Sequence, residues 1–465
     1  AGFDWQNLKS TNNFAYPNNQ RFFDASFNPV TGVGVPFQRI DYDPPVASTS
    51  KGDIYSVYAR DKFELGKMLF FEIGARYEHQ TGSSDVGAKT VKANTISPRF
   101  AGTFDVTGNG KTLVVGTYSR VYQFITQAFS NNFGQNVQRG AFNTYNWNGT
   151  QYVFANRTVS GGSSTPLNAD IKPASVDEGT LGFKQQIGNA FGVGIVGIYR
   201  KWNNIIDDTI VYTPTNSQFQ QFVNYGPAQR KFYGAELTLE KRFSANWNAL
   251  VSYTYSKTRG NNFNDTGSTL GDFSLPTYNC RTTVDPTIGN NGVLPCDVVQ
   301  NGSNKYGNAS YDRPHVLKFN GAYTAPLGPV NLTAGFVGIY RSGDTFQRQR
   351  SMNVILPGTN SNGATVTYFY DQRGSERLPS LFQLDFALEA TYRIVSSVEL
   401  GFKGEIFNVT NGETQVTANN VNWCNDTSAT ASVTCTNARN TFGTATARGA
   451  FQTPRNYRLT ALVRF

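Results

Sequence analysis

Carboxylates spaced four residues apart are the side chains of this sequence best suited to acid-base chemistry. Glu236 and Glu240 form one such pair, and Asp385 and Glu389 form another. Two carboxylates held on one side of an element can serve as general acid and general base. In a β-strand, however, residues four apart always share a face. We interpret both pairs as part of a hydrated polar surface, and we expect no enzymatic activity.

The segment Gly192–Gly197 reads GVGIVG and satisfies the GxGxxG dinucleotide fingerprint. That fingerprint needs a following helix, whose N-terminus holds the pyrophosphate. The next residues, IYRKWNNIIDD, do not predict such a helix, so we interpret the glycines as small residues within a strand. His79 and His315 are isolated, and the sequence contains no GxSxG, HExxH or P-loop motif. We expect no metal site and no cofactor.

The four cysteines form two local pairs in stretches rich in Gly, Asn and Thr. Cys280 pairs with Cys296, and Cys424 pairs with Cys435. A zinc site is the alternative, but neither pair has CxxC spacing and no histidine lies nearby. We predict two local disulfides in loops that face an oxidising space.

The composition favours strands and turns over helices, with 35 Phe, 24 Tyr and 45 Gly among 465 residues. The net charge is +9, but Lys and Arg are scattered, which argues against a nucleic-acid partner. Such a surface would suit the phosphates of a bacterial outer leaflet. The sequence contains no run of 18 apolar residues, so it predicts no transmembrane helix. The first residues lack the basic, apolar and small-residue regions that follow one another in a signal peptide. We therefore expect a mature or truncated chain.

The segment LFFEIGARYEHQ alternates with a period of two for about ten residues. Leu69, Phe71 and Ile73 share one parity, whereas Glu72 and Arg76 share the other. The preceding segment alternates in the same way, and the short separation between the two predicts a tight hairpin. Three further hairpins are clear, and two more are predicted around 108–110 and 188–190.

With a first strand near 2–9 and a last strand near 456–465, the sequence predicts about fourteen antiparallel strands. Their connections alternate strictly between short turns and long loops. Each strand approaches the ten residues that a tilted strand needs to cross a bilayer, whereas β-sandwich strands are usually shorter. The long loops are predicted at 10–52, 81–94, 124–171, 207–227, 260–307, 344–376 and 411–447.

We therefore predict an all-β fold, a transmembrane antiparallel up-and-down β-barrel with short periplasmic turns and long extracellular loops. Aromatic residues gather near both ends of the strands, as expected of two interfacial girdles. The polar face of the strands would line the lumen. By strand parity, the residues predicted to line it are Glu72, Arg76, Glu236, Glu240, Lys318, Asp385, Glu389, Lys403 and Glu405.

Six segments, in order along the chain, resemble the barrel of TonB-dependent outer-membrane receptors, in particular the Oar-like group. The resemblance extends over nearly all the strands and fails in the loops. The terminal strand carries part of it, and there the resemblance implies that Tyr457 and Phe465 form a signal for the barrel-assembly machinery. The segments are VYARDKFELGKMLFFEIGARYEHQ, YRKWNNIIDD, FYGAELTLEKRFSANWNALVSYTYSKTRG, YDRPHVLKFNGAY, GEIFNVTNGETQ and PRNYRLTALVRF.

This resemblance implies a barrel of 22 strands preceded by a globular plug. We expect residues 1–465 to be a single barrel domain that holds the last fourteen strands, without the plug or the first strands. The alternative is that fourteen strands close into a smaller barrel with a narrower pore. We expect the last strand of the barrel to pair with the first and so remove the sheet edge, because unpaired backbone groups in hydrocarbon cost several kcal/mol each.

The resemblance further implies a transporter in the outer membrane of a Gram-negative bacterium. It would take up a bulky, scarce solute, such as a siderophore, an oligosaccharide or a peptide, driven by the TonB complex through the plug. Outer-membrane lipid, lipopolysaccharide and accessory or surface proteins are the other expected partners. A passive fourteen-stranded pore and a structural or adhesive surface protein are the alternatives.

Overall fold

Strands make up most of the chain in the computed structural model. The fold consists of one large sheet, four small ones and short helical turns. The described residues are 1–13, 17–28, 33–43, 47–83, 89–125, 138–161, 170–212, 218–224, 226, 228–263, 302–354, 364–395, 398–418, 423–424, 435, 437–438, 440–445 and 447–465.

Strands are generally longer in the large sheet than in the small ones. Most strands of the large sheet have nine or more residues, and those of the small sheets have two to ten. In chain order the strands are β1 (Gly2–Asn13), β2 (Gln20–Asn28), β3 (Val33–Tyr42), β4 (Ala47–Leu65), β5 (Leu69–Ser83), β6 (Lys89–Asp105), β7 (Thr112–Tyr122), β8 (Gln138–Trp147), β9 (Tyr152–Gly161), β10 (Ser175–Ile187), β11 (Phe191–Asn203), β12 (Ile206–Tyr212), β13 (Gln218–Asn224), β14 (Arg230–Ser244), β15 (Trp247–Gly260), β16 (Gly307–Asn308), β17 (His315–Leu327), β18 (Val330–Arg341), β19 (Thr345–Phe346), β20 (Gln349–Val354), β21 (Ala364–Phe369), β22 (Glu376–Arg377), β23 (Leu381–Val395), β24 (Val398–Phe407) and β25 (Asn456–Arg464).

Helical structure in the described ranges is limited to single turns. One α-helical turn, α1, spans Gly302–Lys305, and 3-10 turns span Pro17–Asn19 and Arg448–Ala450. No helix in those ranges is long and apolar enough to cross a membrane.

The large sheet runs through fourteen strands in the order β1-β4-β5-β6-β7-β10-β11-β14-β15-β17-β18-β23-β24-β25, and the two-residue β16 pairs beside β15. Every neighbouring pair is antiparallel, which confirms the predicted strand number and direction. The GVGIVG segment lies inside β11, as predicted, and pairs on both sides. Within the described strands, β1 and β25 form the two ends of this path and do not pair with each other.

The two faces of this sheet differ in chemistry, as β14 shows. Leu237 lies opposite Tyr253 on one side and Ile195 on the other, and all three side chains are exposed. Thr238 lies on the other face, opposite Ser252. Soluble proteins rarely expose a continuous apolar band of this kind, whereas a transmembrane barrel turns it toward lipid. We call the face of Leu237 the outer face and the face of Thr238 the lumen face.

Leu237→Arg is expected to lower the free energy of unfolding in lipid vesicles by about 2–4 kcal/mol, because it places a charge halfway along a lipid-facing strand. The matched change on the lumen face, Thr238→Arg, is expected to change it by no more than about 0.5 kcal/mol. Urea titrations of both variants in the same vesicles make the comparison. Equal losses would contradict the assignment of the two faces.

Tight turns connect the strands at one end of the sheet. Ala245 and Asn246 join β14 to β15 with φ angles of 49° and 66°, in the predicted turn. Between β6 and β7, the Asp105 carboxylate accepts the backbone N–H groups of Gly108 at 2.9 Å and Gly110 at 2.6 Å. That carboxylate holds the turn closed by satisfying backbone donors that the ladder leaves unpaired.

The long loops at the other end contain more regular structure than the sequence predicted. β1 extends beyond residue 9, and β5 and β6 occupy most of the predicted loop at 81–94, so His79 lies within a strand and not at its end. β2, β3, β8 and β9 form a four-stranded sheet inside predicted loops. The prediction fails here because the alternation is short: in β3 apolar residues occupy every second position only from Val33 to Phe37, and Gln38 and Arg39 are both polar.

The described apolar core lies at this long-loop end and not in the middle of the large sheet. Val91, Ile125, Ile171 and Phe222 are buried together, and Ile206 packs against them. We call these five residues the apolar cap. It joins the ends of β6, β7 and β10 to the hairpin of β12 and β13.

Candidate lumen and extracellular mouth

Charged residues on the lumen face are paired across neighbouring strands. Arg76 on β5 donates to Glu78 at 2.6 Å, to Ser56 on β4 at 2.8 Å and to Asp4 on β1 at 3.3 Å. The guanidinium also lies 5.5 Å from the ring centre of Tyr58. Charge-assisted hydrogen bonds of this kind hold long side chains in a fixed position on the wall.

A second group lies nearer the short turns. Glu72 accepts the guanidinium of Arg60 at 3.2 Å and the Nζ of Lys62 at 3.3 Å. These side chains are more exposed than those around Arg76, so the pairs contribute little to stability. Their arrangement leaves cations and a carboxylate facing the lumen.

A third group lies on the last strands of the sheet. Glu405 accepts the Nζ of Lys403 at 2.9 Å and the Nε of Arg458 at 2.5 Å. Arg464 donates to Glu389 at 2.9 Å and to Glu399 at 2.7 Å. The carboxylate of Asp385 accepts the backbone N–H of Asn408 at 2.8 Å.

The remaining predicted lumen residues make fewer contacts. Glu236 accepts Thr238 at 3.3 Å, Glu240 lies 3.9 Å from the Nε of Arg242, and Lys318 is exposed. These contacts join Lys403 with Glu405 but leave the other predicted residues in separate groups along the wall. Their role in lining a transport path remains a prediction.

An alternation of aromatic rings and guanidinium groups runs across the long-loop end, which we call the mouth. Arg230 lies 5.3 Å from the ring centre of Trp202 and 5.5 Å from that of Phe263. Arg373 lies 4.7 Å from the same Phe263 and 5.6 Å from Phe369. Cation-π contacts thus connect four segments of the chain. The sequence did not predict this group, because nothing local links residues so distant in the chain.

An ion pair with a buried carboxylate also lies at the mouth. The carboxylate of Asp312 is 1% exposed and accepts Arg377 at 2.8 Å. It also accepts the backbone N–H of Thr258 at 2.8 Å. Arg377 further donates to the backbone oxygens of Asp312 and Gly343. The pair therefore connects β15 and β22 to the connections that contain Asp312 and Gly343, and its hydrogen bonds compensate the desolvation of the Asp312 carboxylate.

Arg348 and Asp371 form a pair beside Trp423. Asp371 accepts the Nε of Arg348 at 2.7 Å and its Nη2 at 2.6 Å. The guanidinium lies 4.8 Å from the ring centre of Trp423, which also stacks edge-on against Tyr370. The hydrogen bond from Arg348 is the main reason why the pKa of Asp371 is lowered from its ordinary value of 3.8.

Acidification is expected to loosen this contact. Because the folded-state pKa of Asp371 lies below the unfolded value, its stabilisation is complete above about pH 4 and is lost as the pH falls through the lowered pKa. Hydrogen exchange of the Tyr370 amide, which donates to the Arg348 oxygen at 3.0 Å, measures the loss after correction for the intrinsic rate. Asp371→Asn is the control. An acid response that this variant retains in full would contradict the assignment.

The disulfide between Cys424 and Cys435 is present, with the Cα atoms 5.7 Å apart, which confirms one predicted pair. The other pair, Cys280 and Cys296, lies outside the described residues. On the terminal strand, Tyr457 and Phe465 are exposed, the latter to 97%. Tyr457 has the same parity as the exposed Leu459 and Val463, on the outer face. Their role in barrel assembly remains a prediction.

An antiparallel up-and-down sheet with an apolar outer face and an ion-paired inner face defines the wall of an outer-membrane β-barrel. A family model described as "TonB dependent receptor-like, beta-barrel" matches residues 1–421. The chain therefore belongs to the TonB-dependent receptor family and is a protein of the bacterial outer membrane. The family resemblance derived from the strand segments is confirmed.

Two curated relatives are each 22% identical to this chain. The uncharacterized protein YddB of Escherichia coli (strain K12) matches over 373 residues, 79% of this chain and 41% of the relative. The TonB-dependent transporter Oar of Myxococcus xanthus matches over 402 residues, 76% of this chain and 35% of the relative. The chain thus spans about two-fifths of the length of these relatives.

Solved structures that are similar to this chain include a transporter and a receptor. The outer membrane transporter YddB from Escherichia coli has a TM-score of 0.49 and 14% identity, and the match covers 99% of this chain and 59% of that chain. The siderophore receptor PiuA from Acinetobacter baumannii has a TM-score of 0.46 and 14% identity, covering 91% of this chain and 45% of that chain.

Proposed function

We propose that this chain supplies part of the barrel of a TonB-dependent transporter that takes up a bulky, scarce solute. The observation that carries the proposal is the family match over residues 1–421. The paired charges of the lumen face support it, because a polar, hydrated wall gives a large solute a path through the membrane. These paired charges of the lumen face give no reason to assign an enzymatic role.

Residues 1–465 are proposed to form a single barrel portion that is completed by further strands and by a plug. The open ends of the sheet at β1 and β25 support this proposal. An unpaired strand edge in hydrocarbon is costly, so each end requires a partner strand. The nine predicted lumen residues would then line the path or hold the plug, and TonB would act through that plug.

The solute would be captured at the mouth, where the long loops are held together. The rings and guanidinium groups around Phe263 would hold those loops in place around the solute, since Phe263, Phe369 and Arg373 are themselves buried. Siderophores, oligosaccharides and peptides are the candidate classes of solute. Tyr457 and Phe465 would engage the barrel-assembly machinery during insertion, and accessory surface proteins would contact the same loops.

Uptake by the full-length receptor tests the proposal. The receptor is expressed in a host without its own receptors, and radiolabelled siderophores, oligosaccharides and peptides are offered one at a time. We expect uptake of one class, and we expect its loss in a host that lacks TonB. Equal uptake with and without TonB would instead indicate a passive pore. Surface attachment without uptake would indicate an adhesive protein.

A further inference from the structure

Three basic residues lie side by side on the outer face near the mouth. Lys201 on β11 is the direct cross-strand partner of Lys231 on β14, and Lys231 is the direct partner of Arg259 on β15. Their odd positions place them on the same face as Tyr199 and Tyr233, both of which are exposed. We call Lys201, Lys231 and Arg259 the basic row.

The basic row lies just beyond the apolar band, on the side of the long loops. Tyr199 and Tyr233 are themselves cross-strand partners, two residues nearer the membrane centre than Lys201 and Lys231. Tyrosines at the end of a lipid-facing band mark the boundary between hydrocarbon and headgroups. The row therefore lies at the depth of the headgroups of the outer leaflet.

No described residue forms an ion pair with the two lysines of this row. Like charges directly opposite one another in a sheet are destabilising. Within the part of the chain that the structure describes, neither Lys201 nor Lys231 makes an ion pair or a side-chain hydrogen bond, and the Nε of Arg259 is buried without a hydrogen-bond partner. The guanidinium of Arg259 lies 5.5 Å from the ring centre of Tyr306.

The neighbouring strands show how such a charge is otherwise compensated. Arg120 on β7 donates to Asp177 on β10 at 2.6 Å and 2.8 Å, on the same outer face. Asp177 is the cross-strand partner of Lys201, but its carboxylate also accepts Asn203 at 2.8 Å and Tyr118 at 3.1 Å. Those hydrogen bonds occupy the carboxylate, so the described residues beside the row leave no free carboxylate on this face for Lys201.

We propose that the basic row binds a phosphate group on the phosphorylated glycolipid of the outer leaflet. Lysine and arginine are the side chains that bind phosphate, and the row presents three of them at headgroup depth. A phosphate here would relieve the repulsion between Lys201, Lys231 and Arg259. The proposal depends on the membrane orientation of the strands and does not depend on transport.

The test compares two triple variants of the full-length receptor that remove equal charge. Lys201→Gln, Lys231→Gln and Arg259→Gln are combined in one. The control combines Lys111→Gln at a short turn with Lys184→Gln and Lys318→Gln on the lumen face. Binding of bisphosphorylated lipid A is titrated in detergent micelles. We expect about 100-fold weaker binding by the first variant and a change within twofold for the control.

Dephosphorylated lipid A is expected to bind the unaltered chain about as weakly as bisphosphorylated lipid A binds the first variant. Inorganic phosphate at matched ionic strength is expected not to displace the lipid, which separates a headgroup site from a free-phosphate site. If the triple variant does not fold, Lys201→Gln with Lys231→Gln replaces it, with an expected loss of about 30-fold. Equal affinity of row variant and control, or displacement by inorganic phosphate, would overturn the proposal.

Discussion

Replacing Asp312 with alanine is expected to lower the free energy of local opening at the mouth by about 3–5 kcal/mol. The carboxylate is 1% exposed and accepts hydrogen bonds from Arg377 and from the backbone of Thr258, both at 2.8 Å. Without it, Arg377 loses its counter-charge and the Thr258 amide loses its acceptor. An unmatched buried group costs more than an ordinary hydrogen bond contributes.

Hydrogen exchange of the Thr258 amide measures this effect. A loss of 3 kcal/mol corresponds to more than 100-fold faster exchange by local opening. The control is Asp344→Ala, which removes a pair with Arg313 at 2.5 Å in which both side chains are more than a quarter exposed. That change is expected to cost about 1 kcal/mol or less. If Asp312→Ala and Asp344→Ala accelerated exchange of the Thr258 amide equally, the role of the buried pair would be contradicted.

Phe222→Ala is expected to destabilise the apolar cap by about 3–5 kcal/mol. The side chain is 1% exposed and packs with Val91, Ile125 and Ile171 from three other segments. Truncation removes its burial and leaves a cavity that the surrounding strands fill only in part. Because Phe222 is the buried residue that β13 contributes to the apolar cap, its loss should loosen the hairpin of β12 and β13 from the rest of the mouth.

Amide exchange at Ile125 and Lys172 tests the second prediction. The Ile125 amide donates to the side chain of Gln80 at 3.1 Å, and the Lys172 amide donates to Asn224 at 2.7 Å. Both should exchange at least 100-fold faster in Phe222→Ala. Phe37→Ala, at an exposed position in β3, is the control and should change little. Unchanged exchange at both amides would show that the cap does not hold the loops.

The wall of the barrel could be predicted from the sequence because a local rule determines it. A strand between lipid and water must alternate, so Leu237 and Thr238 reveal their faces by parity alone. The turn at Ala245 and Asn246 follows from the same pattern, since it lies where the alternation stops. Strand order follows from short connections, because consecutive strands joined by tight turns pair with each other.

The mouth could not be predicted because its contacts join segments that are distant in the chain. Asp312 and Arg377 are 65 residues apart. Phe222 packs with Val91 although three strands of the large sheet, β7, β10 and β11, lie between them in the chain. No periodicity marks such residues, and a buried aspartate or phenylalanine in an irregular region looks like any other. The predicted lumen residues were identified by parity, but parity does not show which partners each of them has.

Lipid accessibility along β14 is the most direct measurement of which face of the sheet meets the membrane. Nitroxide labels are placed singly at Glu236, Leu237, Thr238 and Leu239 of the full chain in lipid vesicles, and collision with oxygen is compared with collision with a water-soluble nickel complex. Labels at 237 and 239 should favour oxygen, and labels at 236 and 238 should favour nickel. A uniform preference for nickel at all four positions would contradict a membrane-spanning wall.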